Sequence, residues 1–232
     1  MSARMLYYGN IVTDGLVFFV DAAKKDSYSG TGTSWKDVTN GRQVGTLTNG
    51  PTFDSSNGGS IVFDGNNDYV LFPKQSYLSN ISRFSISAWM KRNLSNSLVI
   101  IGQIESLSND ISFELWNDGN AYFEVGNGAN SYGFVSNTST NWQHLTMVFD
   151  GSQSTNATRL KAYVNGSSVT LSFTGTIPAT TGTINTNLNV GAYLPNINYS
   201  NGNISQISIY NKSLSDVEVL RNYNATKGRY GL

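Results

Sequence analysis

Hydrophobic residues recur at every second position along most of the chain. Ile86, Ala88 and Met90 alternate with Ser85, Ser87 and Lys91. Leu145, Met147 and Phe149 alternate with Thr146 and Asp150, and Leu160, Ala162 and Val164 with Lys161 and Tyr163. Successive strand residues point to opposite faces, so this period gives each strand one buried and one polar face. Segments 15–22, 59–63, 69–72, 98–105, 111–116, 121–125, 132–135, 168–173, 188–192 and 204–210 also have strand composition. Turn signals separate them: Asn49-Gly50-Pro51, Asn57-Gly58-Gly59, Asp118-Gly119, Asp150-Gly151 and Asn165-Gly166. Short strands punctuated in this way predict an all-β fold, a two-sheet antiparallel sandwich.

One short C-terminal helix is expected. Ser215 and Glu218 have the spacing of a capping box, in which each side chain satisfies a backbone donor of the other residue. Val217, Leu220 and Tyr223 then share a face that would cover a sheet edge or one end of the sandwich. Residues 174–189 read as a long loop with a weak strand. The 232 residues fit one sandwich over 11–232, preceded by a docking segment at 1–10 whose Met5, Leu6, Tyr7 and Tyr8 would meet a partner chain.

Charged residues make up only 13% of the chain, against about 25% in ordinary domains, so Ser, Thr, Asn and Gly must supply the polar surface. The formal net charge is zero, which excludes the basic footprint of a nucleic-acid binder and a polybasic membrane anchor. Without cysteine there is neither a disulfide framework nor a thiolate metal site. No apolar run approaches the roughly 18 residues of a membrane span, and Met1–Asn10 lacks a signal-peptide core. A soluble product made in the cytoplasm of its host cell is expected.

Several segments follow one another in a family's order. They are Asp14-Gly-Leu-Val-Phe-Phe-Val-Asp21, Trp35-Lys-Asp37, Ile61-Val-Phe-Asp-Gly-Asn-Asn-Asp-Tyr-Val70, Phe84-Ser-Ile-Ser-Ala-Trp-Met-Lys91, Trp142-Gln-His-Leu145, Tyr163-Val-Asn-Gly166 and Leu188-Asn-Val-Gly191. The series closes with Gly202-Asn-Ile-Ser-Gln-Ile-Ser-Ile-Tyr210 and the segment after it. The set resembles the laminin-G-like branch of the concanavalin A-like lectin/glucanase superfamily. The opening, with the ending Asn222–Leu232, is similar to virion structural proteins of tailed bacteriophages. The resemblance implies a two-sheet antiparallel jelly-roll sandwich, a module decorating capsid or tail, with other virion proteins as partners. It would sit on the virion surface and adhere to host glycans. It also allows a lectin or tail-fibre adhesin not tied to the capsid. Relatives often hold calcium with an Asp-Asn pair at a strand start, and Asn109-Asp110 stands in a similar place in reversed order. Their further ligands come from the loop after Leu-x-Val-Gly, which here offers Asn196 and Asn198 but no carboxylate. The expectation is therefore no cofactor, with calcium at Asn109 and Asp110 as the one candidate.

The strongest acidic pair is Glu114 and Glu124. If Asp118-Gly119-Asn120 forms a three-residue hairpin loop, Leu115 faces Phe123 and Phe113 faces Val125 on a buried side. Glu114 then faces Glu124, and Trp116 faces Tyr122, on the other side, with directly opposed Cβ atoms about 5 Å apart. Two carboxylates beside two aromatics suit a carbohydrate-binding face formed by Glu114, Trp116, Tyr122 and Glu124. They also suit a retaining glycosidase. The Glu-x-Asp-x-x-Glu signature of the superfamily's glucanases is absent, so the chain is expected not to be an enzyme, with glycoside hydrolysis by Glu114 and Glu124 as the alternative. Asp64-Gly65-Asn66-Asn67-Asp68 reads as a turn whose side chains bond their own backbone. His144, the sole histidine, has no metal or triad partners and reads as a packed residue. Trp35, Trp89 and Trp142 read as core, and Trp116 as exposed.

Overall fold

The computed structural model describes residues 10–93, 97–194 and 197–232. Met5, Leu6, Tyr7 and Tyr8, and also Asn196, lie outside the described residues. The strands in chain order are β1 (Leu16–Asp21), β2 (Ser34–Lys36), β3 (Val44–Thr48), β4 (Thr52–Asp54), β5 (Ser60–Asp64), β6 (Tyr69–Phe72), β7 (Arg83–Arg92) and β8 (Leu98–Ser106). Then come β9 (Asn109–Leu115), β10 (Asn120–Val125), β11 (Tyr132–Ser136), β12 (Gln143–Asp150), β13 (Leu160–Val164), β14 (Ser167–Val169) and β15 (Ser172–Thr174). The last are β16 (Leu188–Val190), β17 (Ala192–Leu194), β18 (Ile197–Tyr199) and β19 (Asn201–Tyr210). A four-residue helix, α1 (Asn156–Arg159), precedes β13, and α2 (Asp216–Thr226) follows β19.

Two antiparallel sheets face each other. The first runs β14-β13-β12-β7-β19-β5-β4, and β1 pairs with the far half of β19 beyond a bulge at Ser205. The second runs β15-β11-β10-β9-β8-β16-β6-β3-β2. Alternation delivers Phe18, Ile86, Met147, Phe113, Phe123 and Phe72 into the core between them. Phe18 and Phe72 meet edge-on at 5.0 Å across this core.

The first sheet is covered on its other face as well. Phe19, Tyr163, Tyr210, Leu214 and Val219 pack there under α2. The serines that alternate with Ile86 and Ala88 are therefore buried, not solvated. Ser85 Oγ donates to Lys212 O and accepts from Leu214 N, while Ser87 and Thr146 share a hydrogen bond of 2.9 Å. Small hydroxyls suit such positions because each finds a partner without leaving a void.

The capping box at Ser215 forms, with Glu218 N donating to Ser215 Oγ and Ser215 N to Glu218 Oε2. The helix turns a different face inward from the one its apolar spacing predicts. Val217 stays 77% exposed and Leu220 is exposed, whereas Val219 and Asn222 are buried. Asn222 is chosen for its amide: its Oδ1 accepts from Val12 N at 2.8 Å, and its Nδ2 donates to Tyr210 Oη at 3.1 Å. Tyr223 instead stacks on Trp89, as does Tyr230, whose ring centroid lies 3.9 Å away.

Arg229, just beyond the helix, fixes the C-terminal segment to the sheet. It donates to both Asp21 oxygens at 2.9 and 3.0 Å, to Ser205 Oγ at 2.6 Å and to the Gly59 and Asn57 carbonyls. Gln206 also donates to Asp21. The turn at 64–68 forms as expected, with Asp64 and Asp68 carboxylates accepting local backbone N–H groups. Residues 175–187 contain no strand and are pinned by Thr181, whose hydroxyl donates to Leu78 O and accepts from Ile81 N. His144 is buried against Trp89, and burial depresses its pKa to about 3, so it stays neutral. Trp35 and Trp89 are core; Trp142 is only half-buried and donates to Asn57 Oδ1.

Removing the guanidinium strands the buried Asp21 carboxylate. Arg229→Ala is expected to cost about 3 kcal/mol, the scale for breaking one side of a buried pair, read as a lower urea midpoint with the far-ultraviolet spectrum unchanged before the transition.

Candidate functional site

The hairpin of β9 and β10 carries most of the sequence-derived site, in a register different from the expected one. The loop does contain three residues, but they are 117–119. Gly119 N donates to Trp116 O at 3.2 Å, Gly119 takes a φ of +86°, and Trp116 N donates to Asn120 O at 2.9 Å. This is a type I turn closed by a left-handed residue, a role glycine fills without steric cost. Asp118 stabilises it by accepting from Asn120 N and Nδ2. Placing the loop one residue earlier slides the pairing by two. Glu114 faces Tyr122, Glu124 faces Ser112, Phe113 faces Phe123 and Leu115 faces Ala121.

A slip of two keeps every side chain on its expected face. Glu114, Trp116, Tyr122 and Glu124 do share the outer face of the second sheet. The two glutamates, however, are diagonal neighbours rather than opposite, about 7–8 Å apart at the backbone. Trp116 and Tyr122 are diagonal too, with ring centroids 5.9 Å apart and edge-on. Tyr122 donates to Asp118 at 2.6 Å, a bond that together with burial raises its phenol pKa to about 12.

Sequence reasoning missed the rest of this face. Tyr132 and Phe134 of β11 extend the aromatic strip, with Phe134 stacked 5.7 Å from Tyr122 and Tyr132 5.5 Å from it. All three rings are half-buried, and Trp116 is 36% exposed. The period-two spacing of Tyr132 and Phe134 was a usable signal, since residues facing Glu124 and Tyr122 must share their face. The small hairpin β17–β18, read from sequence as a loop, carries Tyr193 and lies over β8. It packs closely because Gly102 has no side chain: a Cβ there would lie 2.8 Å from Tyr193 O. Val99, Ile104 and Tyr193 form a separate cluster beneath it.

Between this covering hairpin and the aromatic strip lies a cleft of ≈ 270 Å³, lined by Leu107, Trp116, Glu124, Tyr193, Ile197 and Asn198 among others. Leu107 precedes β9 and Trp116 follows it, so the cleft runs along the strand. Leu107, Trp116 and Ile197 are exposed large apolar side chains that meet here. Of the three acids on this face, Glu124 lines the cleft, and Asp110 and Glu114 are buried. Tyr193 Oη donates to Asp110 Oδ2 at 3.2 Å and approaches Glu124 Oε2 at 3.5 Å. Glu114 is fully buried; its Oε1 accepts from Ser112 Oγ at 3.2 Å, the Trp116 indole comes close, and Oε2 has no partner of hydrogen-bond geometry. Burial first, and the Glu124 charge second, push Glu114 up to about 8. Burial and then Glu124 likewise raise Asp110.

The calcium candidate does not fit this arrangement. Asn109 and Asp110 point to opposite sides of their strand, as neighbours must. Asn109 Oδ1 packs against Gly182 and Asp110 Oδ1 against Gly126. Calcium requires about 6–8 oxygens, and no group of three or more potential ligands poised for a metal occurs among the described residues. The further candidate Asn198 lines the cleft instead.

A raised carboxyl pKa has a defined sign. Between about 4.5 and 8 the folded chain holds a proton on Glu114 that the unfolded chain has released, so this contribution is complete below pH 4.5 and is lost as pH rises through 8. The urea midpoint of the native chain is expected to fall between pH 5 and 9, and Glu114→Gln is expected to flatten that fall.

Comparison with known proteins gives the same architecture. A laminin-G-type model of the concanavalin A-like lectin/glucanases superfamily matches residues 64–220. The chain is similar to the receptor binding domain of a botulinum neurotoxin C/D mosaic serotype, at 14% identity and a TM-score of 0.68 over 92% of this chain and 52% of that one. It is similar to the botulinum neurotoxin serotype D ligand binding domain in complex with N-acetylneuraminic acid (14% identity, TM-score 0.67, 91% and 51%). A third likeness is to the binding domain of paraclostridial mosquitocidal protein 1 (17%, TM-score 0.67, 90% and 52%). The chain thus spans about half the length of each, and at these identities the likeness shows the fold. No curated protein matches the sequence. With more than half of its residues matched by the family model and both sheets in place, the chain belongs to the concanavalin A-like lectin/glucanases superfamily.

Proposed function

We propose that this chain is a glycan-recognition module that binds extended sugar chains along the cleft beside β9 and performs no catalysis. The observation that carries the reading is the aromatic strip Trp116–Tyr122–Phe134 on the outer face, whose Trp116 lines a groove that runs along a strand. Sugar rings present apolar C–H faces that pack on aromatic side chains, while their hydroxyls need acceptors and donors such as Glu124, Asn198 and Tyr193. The similar solved structures are binding domains, one with N-acetylneuraminic acid bound, which supports a recognition role without fixing the sugar.

Non-catalysis is favoured by the placement of Glu114. A general acid must touch the reacting oxygen, and Glu114 is sealed beneath the sheet surface. The finer setting, a module decorating the capsid or tail of a bacteriophage particle, rests on the sequence resemblance. The reading needs no metal ion.

In a glycan array, binding is expected to saturate for at least one oligosaccharide, and Trp116→Ala is expected to weaken it by about tenfold or more, roughly 1.4 kcal/mol. Retention of full affinity by that variant would move the site elsewhere. Release of reducing sugar by the native chain, lost in Glu124→Gln, would overturn the non-catalytic reading. For the particle setting, mass spectrometry of purified virions is expected to find the chain at a fixed copy number, and absence from particles would refute it.

A further inference from the structure

The charge in this cleft is one-sided. Glu124 lines it, with Asp110 bound to the same Tyr193 hydroxyl and Glu114 close enough to feel the Glu124 charge. No lysine or arginine lines the cleft among the described residues. The buried Arg92 is already engaged, donating to the Trp116 and Asn137 carbonyls at 2.9 and 2.5 Å. Glu114 Oε2 is buried without a hydrogen-bond partner, on the face where Glu124 stands. Sealed below the cleft, Glu114 is beyond the reach of a ligand, so the carboxylate a ligand meets there is Glu124.

Resting on the glycan-binding reading, we infer that the cleft selects an amine-bearing, cationic sugar, an unacetylated hexosamine within an oligosaccharide, over neutral or acidic sugars. An ammonium group brings three donors and no acceptor, matching the acceptor-only carboxylate of Glu124 in the cleft lining. Its charge-assisted hydrogen bonds to carboxylates are about twice as strong as neutral ones. N-acetylation deletes the charge and adds bulk at the same atom. A sugar carboxylate would meet like charge with no cation to answer it. The acidic sugar bound by the similar botulinum serotype D domain is therefore not the ligand class this cleft accepts. Trp116 stacks a neighbouring ring of the same chain, so chain length and amine content contribute separately.

The test uses the full chain and two probes of equal length, a fully deacetylated glucosamine tetramer and its N-acetylated counterpart, with a sialylated oligosaccharide as the acidic probe. Calorimetry at neutral pH in about 0.15 M salt screens long-range attraction. The deacetylated tetramer is expected to bind at least tenfold tighter than the acetylated one, and the sialylated probe not measurably. Glu124→Gln is expected to erase the preference, while Trp116→Ala weakens both glucosamine probes together. Equal binding of the two tetramers, or a preference for the acetylated or sialylated probe, would overturn the inference and leave glycan recognition standing. Failure of these probes and of a broad glycan array alike would overturn glycan recognition itself. The comparison of probes on the native chain needs no variant to fold.

Discussion

Three loop residues decide which side chains meet on the outer face of the second sheet. Gly119 accepts the left-handed conformation, and Asp118 holds the N–H groups of Asn120, so the β9–β10 loop closes at 117–119. That closure sets the pairing, and the pairing puts Phe113 against Phe123 inside and the Glu114–Tyr122–Phe134 row outside. A loop closed one residue later would bring Glu114 and Glu124 face to face and separate Phe113 from Phe123. The core contact between those two rings, 5.0 Å apart, supports the register that the loop selects.

The outer face then carries a cost that the core does not need. Three carboxyl groups gather under a hairpin, one of them with an unsatisfied oxygen, and burial raises two of their pKa values. An apolar face covered by the same hairpin would be more stable, as groups retained against stability commonly mark function. The surrounding fold supplies the margin. The first sheet is buried on both sides, and the Arg229–Asp21 pair fastens the last turn to the first strand. The covering hairpin belongs to the crossing from β16 to β19, so it is tied at both ends to central strands of different sheets.

Much of this was legible in the sequence. Alternation placed the β9–β10 side chains on the correct faces, because a register error of two leaves faces unchanged, but Glu114, expected on an open face, is fully buried. The Asp64–Asp68 turn, the packed His144 and the Ser215 cap rest on local chemistry and were readable for that reason. What was not legible depends on distant chain. Tyr193 reaches Asp110 across 83 positions of sequence, and no local pattern announces that a loop will fold back as a lid. Ser85 and Ser87 look like solvent-facing residues until the C-terminal segment covers them. The helix buries Asn222 rather than Leu220 because Val12 N and Tyr210 Oη require an amide, a demand visible only once the first and last strands are adjacent.

The cleft is the centre of this interpretation, and the position of a bound ligand tests it most directly. A crystal of the chain grown with a glucosamine oligosaccharide should show a sugar ring against Trp116 and an amine nitrogen within about 3 Å of Glu124, hydrogen-bond distance. Density for the oligosaccharide on the first sheet, at an end of the sandwich, or nowhere on the chain at saturating concentration would contradict it.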